Sequence, residues 1–230
     1  MDWRESAKKA AALSAVTHVE EGFVVGLGSG TTIAYALNEI GRRIREKKLS
    51  FLGVPTSYQA FLLAVKHKIP VTTLDEHPRL DMTIDGADQV DGKLDMIKGM
   101  GGALTREKIV ASASKLNIIV VDETKLTNRL GVNQPVPIEV LPFAKSVVRA
   151  KLRRLGGKPV LREAAGKLGP VVTDNGNFIF DVDFGSIVHP KELNTVLKEV
   201  PGIVETGLFA GMADVVYVGG KAGVRRLKKR

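Results

Sequence analysis

The chain has 230 residues, with a hydrophobic content of 44% and a charged content of 26%, as expected for a folded globular protein. It contains no cysteine, which excludes disulfides, thiolate metal sites and cysteine nucleophiles. No apolar run reaches the ~18 residues that cross a bilayer, and the N-terminal residues lack an apolar signal core. We therefore expect a cytoplasmic protein of one large or two small domains.

The net charge is +9, from 34 basic and 25 acidic residues. Such an excess is compatible with nucleic acid, a membrane surface or anionic metabolites as partners. The basic residues are scattered apart from a tail at 225–230, and no basic patch with interleaved aromatic residues accompanies that tail. We expect a solvated terminus there, and neither nucleic acid nor a membrane as a partner.

The first half of the chain alternates helical patterns with short β-branched apolar runs. Strands that read as continuous apolar runs between helices indicate a parallel sheet covered on both faces. The predicted helices span 4–20, 31–48, 57–68 and 104–114, and the predicted strands lie within 23–28, 50–56, 70–74, 80–88 and 117–124.

The sequence pattern changes after Gly131, where "VNQPVPIEVLPF" contains three prolines. Prolines in such a run mark a connection or an edge strand, so we place a domain boundary there. The order of elements from 136 to about 205 is β-α-β-β-α-β, which is the ferredoxin-like pattern. We predict a sheet domain of residues 1–131 plus 206–230 and a smaller domain of residues 132–205, with 213–229 returning to the first sheet as a strand followed by a helix.

The glycine-rich loop "GLGSGTT" at 26–32 lies where a strand meets a helix, a position that favours a bound anion. It is not a dinucleotide fingerprint, because Thr31 stands where the third glycine is needed, and it lacks the G-K-[ST] of a Walker loop. Ser29, Gly30, Thr31 and Thr32 offer hydroxyls and close backbone approach, which suit a terminal phosphate. A tight turn with threonine as a helix cap explains the same residues.

Paired carboxylates follow another apolar strand in "TIDGADQVD", where Asp85 and Asp88 surround Gly86 and Ala87. Open α/β sheets place ligands at this edge, so the two acids suit a cation or sugar hydroxyls. An Asx-type turn is the structural alternative. No histidine or third acid is spaced to complete a coordination shell, and we predict no metal site.

A third loop, "KGMGGALTREK" at 98–108, combines Lys98 with the backbone N–H groups that its glycines, Gly99, Gly101 and Gly102, expose. Glu107 lies about one turn into the helix that follows. Such a cradle suits negative charge that develops on an oxygen, whereas the alternative is a flexible turn beside a solvated helix face. Lys125 follows one more strand in "VDETK". Three such loops, each at a strand end, favour one common site.

These segments, together with "TSYQA", "VTDNGN" and "PGIVETGLFA", resemble the type A ribose-5-phosphate isomerase family in order and across nearly the whole chain. The resemblance implies an open, mostly parallel, Rossmann-like sheet domain with an inserted ferredoxin-like α+β domain. It implies interconversion of ribose 5-phosphate and ribulose 5-phosphate in the non-oxidative branch of pentose phosphate metabolism. It also implies that no metal or organic cofactor is used and that the chain forms a homodimer or homotetramer.

Matched to the family position by position, Glu107 is the proton acceptor of a cis-enediolate mechanism. The resemblance gives Lys98 and Asp85 as substrate-contacting positions, and Lys8 or Lys9 as matching a phosphate-contacting lysine. Within the mechanism we expect Lys98 to stabilise the enediolate oxygens and Asp85 to transfer protons among the hydroxyls. One departure is Met100, where the family often has glycine, and it would matter if that position required a positive φ. The implied substrate-binding residues are Ser29, Gly30, Thr31, Thr32, Asp85, Gly86, Ala87, Asp88, Lys98, Gly99, Met100, Gly101 and Lys125.

Three other functions compete with this interpretation. A non-catalytic sugar-phosphate sensor would carry a helix-turn-helix segment and could dispense with Glu107, whereas this chain keeps it. A nucleic-acid-binding protein is suggested only by the net charge, and no recognised binding motif supports it. An amino-sugar phosphate isomerase/deaminase or an acyl-CoA transferase would need motifs that the sequence lacks.

Overall fold

The computed structural model describes residues 2–47, 49–166 and 168–229. Lys48, the last residue of the second predicted helix, and Arg230, the end of the basic tail, lie outside the described residues. The chain divides into two compact units: the first comprises Met1–Ala87, Arg106–Leu126 and Met212–Arg230, and the second Asp88–Thr105 and Thr127–Gly211. The domain division at 131/132 and 205/206 stays a prediction.

The helices and strands follow one another as the alternation of sequence patterns predicts. The helices are α1 (Trp3–Val16), α2 (Thr31–Lys47), α3 (Tyr58–Lys66), α4 (Leu104–Ser112), α5 (Lys145–Arg154) and α6 (Pro190–Lys198). The strands are β1 (Val24–Leu27), β2 (Leu52–Pro55), β3 (Met82–Asp85), β4 (Gln89–Val90), β5 (Met96–Ile97), β6 (Asn117–Asp122), β7 (Val136–Val140), β8 (Lys158–Leu161), β9 (Phe178–Asp183), β10 (Ile203–Thr206), β11 (Leu208–Phe209), β12 (Val215–Gly220) and β13 (Gly223–Lys228). Among the described residues no helix has both the length and the apolar character needed to span a membrane.

The first unit is built on a six-stranded sheet in the order β13-β12-β6-β3-β1-β2. Its strands are parallel except for β13, which runs antiparallel to β12. The chain goes from β1 to β2 on one side and returns to β3 on the other, so β1 and β3 flank a topological switch point. In open α/β sheets the crevice beyond the carboxyl ends of such strands is where ligands bind.

Small residues bring α1 close to the sheet of the first unit. The helix buries the alanines at 7, 11, 12 and 15, and it contacts β12, β6 and α2. A Cβ added to Gly219 of β12 would lie 2.0 Å from the carbonyl oxygen of Ala7, so any other residue there would push the helix away. The alanines of α1 and Gly219 of β12 therefore act together to let the helix pack closely against the sheet.

The second unit contains the antiparallel sheet β10-β7-β9-β8 with α5 and α6, and a small sheet β11-β5-β4. The chain order β7-α5-β8-β9-α6-β10 confirms the predicted ferredoxin-like pattern. Its core includes Ile138, Val148, Phe180 and Leu197, which are all fully buried. The mixed α/β architecture with a largely parallel central sheet is thus the one predicted from the sequence.

Two predicted elements are wrong. The segment 213–229 is not a strand and a helix but the hairpin of β12 and β13, joined by two residues between Gly220 and Gly223. Gly223 has a φ of +116°, a conformation that favours glycine and turns the chain back before a helix can start. The predicted strand at 70–74 forms only a single bridge, between Val71 and Gly53.

Candidate active site

Asp85 lies at the carboxyl end of β3, beside the end of β1, at the switch point of the first unit. Its side chain is buried, and Oδ1 accepts hydrogen bonds from the N–H groups of Ser29 (3.1 Å) and Gly86 (2.7 Å). A Cβ added to Gly28 would lie 2.2 Å from the same oxygen. The glycine of the first loop therefore makes room for the carboxylate of the second.

The loop after β1 presents the polar groups that the sequence predicts for a phosphate site. The hydroxyl of Ser29 is hydrogen-bonded to the hydroxyls of Thr56 (2.9 Å) and Ser57 (2.6 Å). Gly30 has a φ of +103°, and its N–H donates to Oε1 of Gln59 at 2.8 Å. Helix α2 begins at the next residue, so the N–H groups of its first turn, including those of Thr31 and Thr32, have no intrahelical acceptor.

Glu107 lies in the first turn of α4 and is 5% exposed. The start of this helix is held by Thr105, whose hydroxyl donates to the carboxylate of Glu139 at 2.5 Å. Glu139 is itself fully buried and also accepts from Thr173 and Asn177. A buried hydrogen-bonded carboxylate thus binds the hydroxyl of Thr105 at the start of α4.

Two lysines of the first unit are candidates for binding an anion. Lys125 is half-buried in the short turn after β6, and within the described ranges no carboxylate lies at ion-pair distance from it. Lys8 donates to Glu5 at 2.7 Å, and Glu5 also accepts from the hydroxyl of Tyr35 in α2. The hydrogen bond from Lys8, followed by that from Tyr35, lowers the pKa of Glu5. Lys8 is thus tied to α2, whereas Lys9 is exposed.

The second unit holds Asp88, Lys98 and the loop 99–102. Asp88 accepts a hydrogen bond at Oδ2 from the N–H of Met100 at 2.9 Å. Lys98 is 3% exposed, with Nζ 5.3 Å from the centroid of the Phe209 ring, a distance typical of a cation–π contact. A charged group so deeply buried is held in place rather than free to sample solvent.

The glycine loop tolerates the departure at Met100. Positive φ angles occur at Gly99 (+107°) and Gly102 (+79°), but not at Met100, whose side chain extends outward and is partly exposed. A Cβ on Gly99 would lie 2.9 Å from Leu104 and 3.1 Å from Pro137. The loop therefore needs glycine at Gly99 for both conformation and space, and does not need it at Met100.

Hydrogen bonds join several of the predicted site residues. In the first unit they connect Ser29, Asp85 and Gly86, with Ala87 next in the chain, and in the second they connect Asp88 and Met100. Gly101 is exposed and lies between the two glycines of positive φ. No group of three or more potential metal ligands occurs in the part of the chain that the structure describes.

Sequence reasoning assigned no role to several residues that support these loops. Thr56, Ser57 and Gln59 belong to "TSYQA", and their position after β2, at the same sheet edge, was the available signal. Glu139 reads as an ordinary strand residue, and Arg162 as a surface cation. Only tertiary contacts reveal that Glu139 accepts from Thr105 and that Arg162 donates to the carbonyls of Gly99 and Met100 in the glycine loop.

The comparisons with known proteins agree along almost the entire chain. The family model for ribose 5-phosphate isomerase A (phosphoriboisomerase A) matches residues 52–223. Ribose-5-phosphate isomerase A of Methanosarcina acetivorans is 50% identical over 223 residues, covering 97% of this chain and 94% of the relative. The enzyme of Methanothermobacter thermautotrophicus is 49% identical over 221 residues, covering 96% and 97%.

Solved structures show the same fold. A D-ribose-5-phosphate isomerase in complex with phospho-erythronic acid superimposes with a TM-score of 0.96 at 44% identity, covering 98% of this chain and 99% of the other. The ribose 5-phosphate isomerase of Plasmodium falciparum gives a TM-score of 0.93 at 40% identity, with the same coverage.

Fold, sequence identity and coverage place the chain among the aldose–ketose isomerases. It belongs to the ribose 5-phosphate isomerase A family. The family expected from the order of the loop motifs is confirmed.

Proposed function

We propose that Glu107, Asp85 and Lys98 carry out the reaction of this family in this chain. As a family member, the chain interconverts D-ribose 5-phosphate and D-ribulose 5-phosphate, a step of pentose phosphate metabolism, through an enediolate. The observation that carries the assignment of residues is the burial of all three charged side chains, because burying a charge is costly unless the site uses or compensates it.

Glu107 acts as the base in both half-reactions. It removes the proton from carbon 2 of the open-chain aldose and returns it to carbon 1, so one carboxylate serves both directions. Its burial in the first turn of α4 supports this role, because bulk water is kept from the proton in transit. General-base catalysis contributes ~10²–10⁴-fold, so other groups must supply the rest of the acceleration.

Lys98 and the loop 99–102 stabilise the enediolate oxygens. Within this loop the N–H of Met100 donates to Asp88 and that of Gly102 to the carbonyl of Gly99, so the donors we assign to the enediolate are the N–H groups of Gly99 and Gly101. A fixed ammonium and preorganised donors lower the energy of developing negative charge, and losing one good donor typically costs ~10²–10³-fold in turnover. The burial of Lys98 beside Phe209 supports the assignment, because the charge acts there in a medium of low polarity. Asp85 transfers protons among the substrate hydroxyls and opens the furanose ring. Asp88, with Gly86 and Ala87, orients the substrate hydroxyls.

Ser29, Gly30, Thr31 and Thr32 bind the phosphate at the start of α2, with Lys125 as its counter-charge. We assign a second cation to Lys8 rather than Lys9, because Lys8 is held toward α2 through Glu5 and Tyr35. Phospho-erythronic acid, which is bound in the solved relative, should also bind this chain. Its carboxylate holds two oxygens in one plane and shares a negative charge between them, as the planar enediolate does.

The proposal extends to assembly and location. We propose a homodimer or homotetramer, because the second unit exposes large apolar side chains at Leu141, Phe143 and Val147, more than a monomer usually leaves in one stretch. We propose a cytoplasmic location, because the phosphorylated substrate carries charge that does not cross a bilayer unaided.

The test is turnover of ribose 5-phosphate by the purified chain in the presence of EDTA, at moderate and at high temperature. We expect ketose to form at an undiminished rate, because the proposed chemistry uses only protein groups. Turnover that disappears with EDTA and returns with a divalent metal would contradict the metal-free mechanism. A folded protein that binds the sugar phosphate without turning it over would favour a sensor.

A further inference from the structure

The conformation of the glycine loop in the second unit is fixed by a side chain from another part of the chain. Nη1 of Arg162, which follows β8, donates to the carbonyl oxygens of Gly99 (2.9 Å) and Met100 (3.0 Å). The other edge of the same guanidinium donates through Nε (2.8 Å) and Nη2 to the two carboxylate oxygens of Asp181 on β9. The two side chains are only 12% and 20% exposed.

Because peptides are planar, the contacts that fix the two carbonyls also fix the directions of the N–H groups in the same peptides. A trans peptide is planar, with its C=O and N–H pointing in opposite directions. Arg162 binds the carbonyl of the Gly99–Met100 peptide, and Asp88 accepts the N–H of the same peptide on the opposite side. That peptide is therefore held at both of its edges.

The next peptide is held from one side only. Its carbonyl, that of Met100, also accepts from Arg162, so the N–H of Gly101 points away from the guanidinium. Within the described residues the N–H of Gly101 donates to no protein acceptor. An oriented donor without a protein acceptor, in an exposed loop, is what binding of an anionic oxygen requires.

We propose that Arg162, fixed by Asp181, is a positioning residue that aims the N–H of Gly101 at the enediolate oxygen. This inference rests on the proposed function of the loop. Arg162 itself does not touch the reacting atoms. Its planar fork suits the task, because it binds a carboxylate with one edge and two successive carbonyls with the other. A loop with three glycines would otherwise sample many conformations.

A neighbouring ion pair on the same two strands supplies the control. Lys158 on β8 lies 3.6 Å from Asp183 on β9, and both side chains are exposed. This pair makes no contact with the glycine loop among the interactions described. Lys158→Gln therefore removes an ion pair between β8 and β9 while leaving the loop untouched.

The kinetic test compares Arg162→Gln, Arg162→Lys and Asp181→Asn with Lys158→Gln. We expect kcat of Arg162→Gln to fall ~10–10²-fold with a nearly unchanged KM, because the donor is lost mainly from the transition state. The primary isotope effect on kcat with 2-deuterated ribose 5-phosphate should rise as proton removal becomes slower. Arg162→Lys should not restore kcat, because one ammonium cannot span both carbonyls and the carboxylate.

Unchanged kcat in Arg162→Gln, full rescue by lysine, or an equal loss in Lys158→Gln would overturn the inference. If Arg162→Gln does not fold, the same measurements are made on Asp181→Asn, which keeps the shape of the side chain. We expect this variant to show a smaller loss of kcat in the same direction.

A second readout is independent of turnover. In 15N-labelled protein the amide resonances of Met100 and Gly101 should shift or broaden in Arg162→Gln and stay in place in Lys158→Gln. If the wild-type chain lacks isomerase activity, the proposed function fails, and these resonances still test the positioning of the loop. Unperturbed resonances in Arg162→Gln would show that Arg162 does not orient the loop.

Discussion

At the residue scale, the position of Asp85 depends on the absence of a side chain at Gly28. The carboxylate occupies the volume where a Cβ of Gly28 would lie, and it is oriented by two backbone N–H groups. A methyl group there would displace either the loop after β1 or the carboxylate. The loop that we propose for the phosphate and the carboxylate that we propose for proton transfer are thus in direct contact.

We expect Gly28→Ala to lower kcat by on the order of 10²-fold, because a displacement of about 1 Å in a reacting group has that effect. Steady-state kinetics with ribose 5-phosphate would measure it. Gly92→Ala is the matched control, since a Cβ there meets nothing within 4 Å. Equal activity of the two variants would contradict the proposed link between Gly28 and Asp85.

Replacing the lysines that we propose to bind the phosphate should weaken substrate affinity more than it lowers turnover. We expect Lys125→Ala and Lys8→Ala to raise KM about tenfold with smaller changes in kcat, because the phosphate is bound equally in substrate and transition state. Lys9→Ala is the control for Lys8→Ala and should leave KM unchanged. A fall in kcat at constant KM would argue against a phosphate role for either lysine.

Site residues that lie in short sequence motifs could be predicted from the sequence. Residues that act through contacts between distant parts of the chain could not. The motif positions Ser29, Asp85 and Glu107 stand out because glycine and strand-end patterns surround them. Arg162 lies 63 residues along the chain from Gly99, to whose carbonyl it donates, and Glu139 lies 34 residues from Thr105, from whose hydroxyl it accepts. No short-range pattern distinguishes them from surface or strand residues.

At the element scale, helices α1 and α2 are joined by a charged cluster. Glu39 of α2 accepts hydrogen bonds from Arg42 and Arg43, and Arg43 also donates to the carbonyl of Val16 at the end of α1. The hydrogen bonds from Arg42, followed by those from Arg43, lower the pKa of Glu39 from 4.5 to about 2, although burial opposes the shift. The cluster satisfies a helix-terminal carbonyl and stabilises the ionised carboxylate.

This cluster makes stability depend on pH. Because the pKa of Glu39 is lower in the folded state, its contribution is present above about pH 4.5 and is lost as the pH falls toward 2. Glu39→Gln should lower the free energy of unfolding by about 1–2 kcal/mol at pH 7, a value reduced for partial solvent exposure of the arginines. The difference from wild type should shrink below pH 4.

Urea unfolding at pH 7 and pH 3 would test this expectation. Glu46→Gln is the control, because Glu46 pairs with Arg42 at an exposed position and should change stability less. A Glu39→Gln difference that stays constant between the two pH values would contradict the linkage.

The elements themselves were predictable where they are long and periodic. Helices α1, α2 and α4 and strands β1, β3 and β6 follow from apolar spacing and flanking glycines. Strands β4, β5 and β11 have only two residues each, too few for a period to appear. The hairpin of β12 and β13 was misjudged because the basic residues of β13 resemble an exposed helix end, and the pairing with β12 outweighs local propensity.

At the scale of the whole molecule, the proposed self-association rests on exposed apolar residues. Phe143 is fully exposed, and Leu141 and Val147 beside it are exposed as well. We expect the wild-type chain to have a dimeric or tetrameric mass by light scattering, and Phe143→Asp to lower that mass without unfolding. Leu62→Asp, on the exposed face of α3, tests whether that second apolar surface contributes.

A wild-type mass of one 24.8 kDa chain at micromolar concentration would contradict the proposed assembly. If the oligomer persists in Phe143→Asp but dissociates in Leu62→Asp, the interface lies on α3 and not at Phe143.

We propose the buried carboxylate of Glu107 as the base of a cofactor-free isomerase. This role is tested most directly by kcat for ribose 5-phosphate in wild type, Glu107→Gln and the surface control Glu20→Gln, with the affinity for phospho-erythronic acid measured in parallel. We expect Glu107→Gln to lose at least ~10²–10⁴-fold in kcat, the range for a general base, while Glu20→Gln turns over like wild type and all three bind the ligand. Turnover retained in Glu107→Gln, or lost together with binding, would contradict the account.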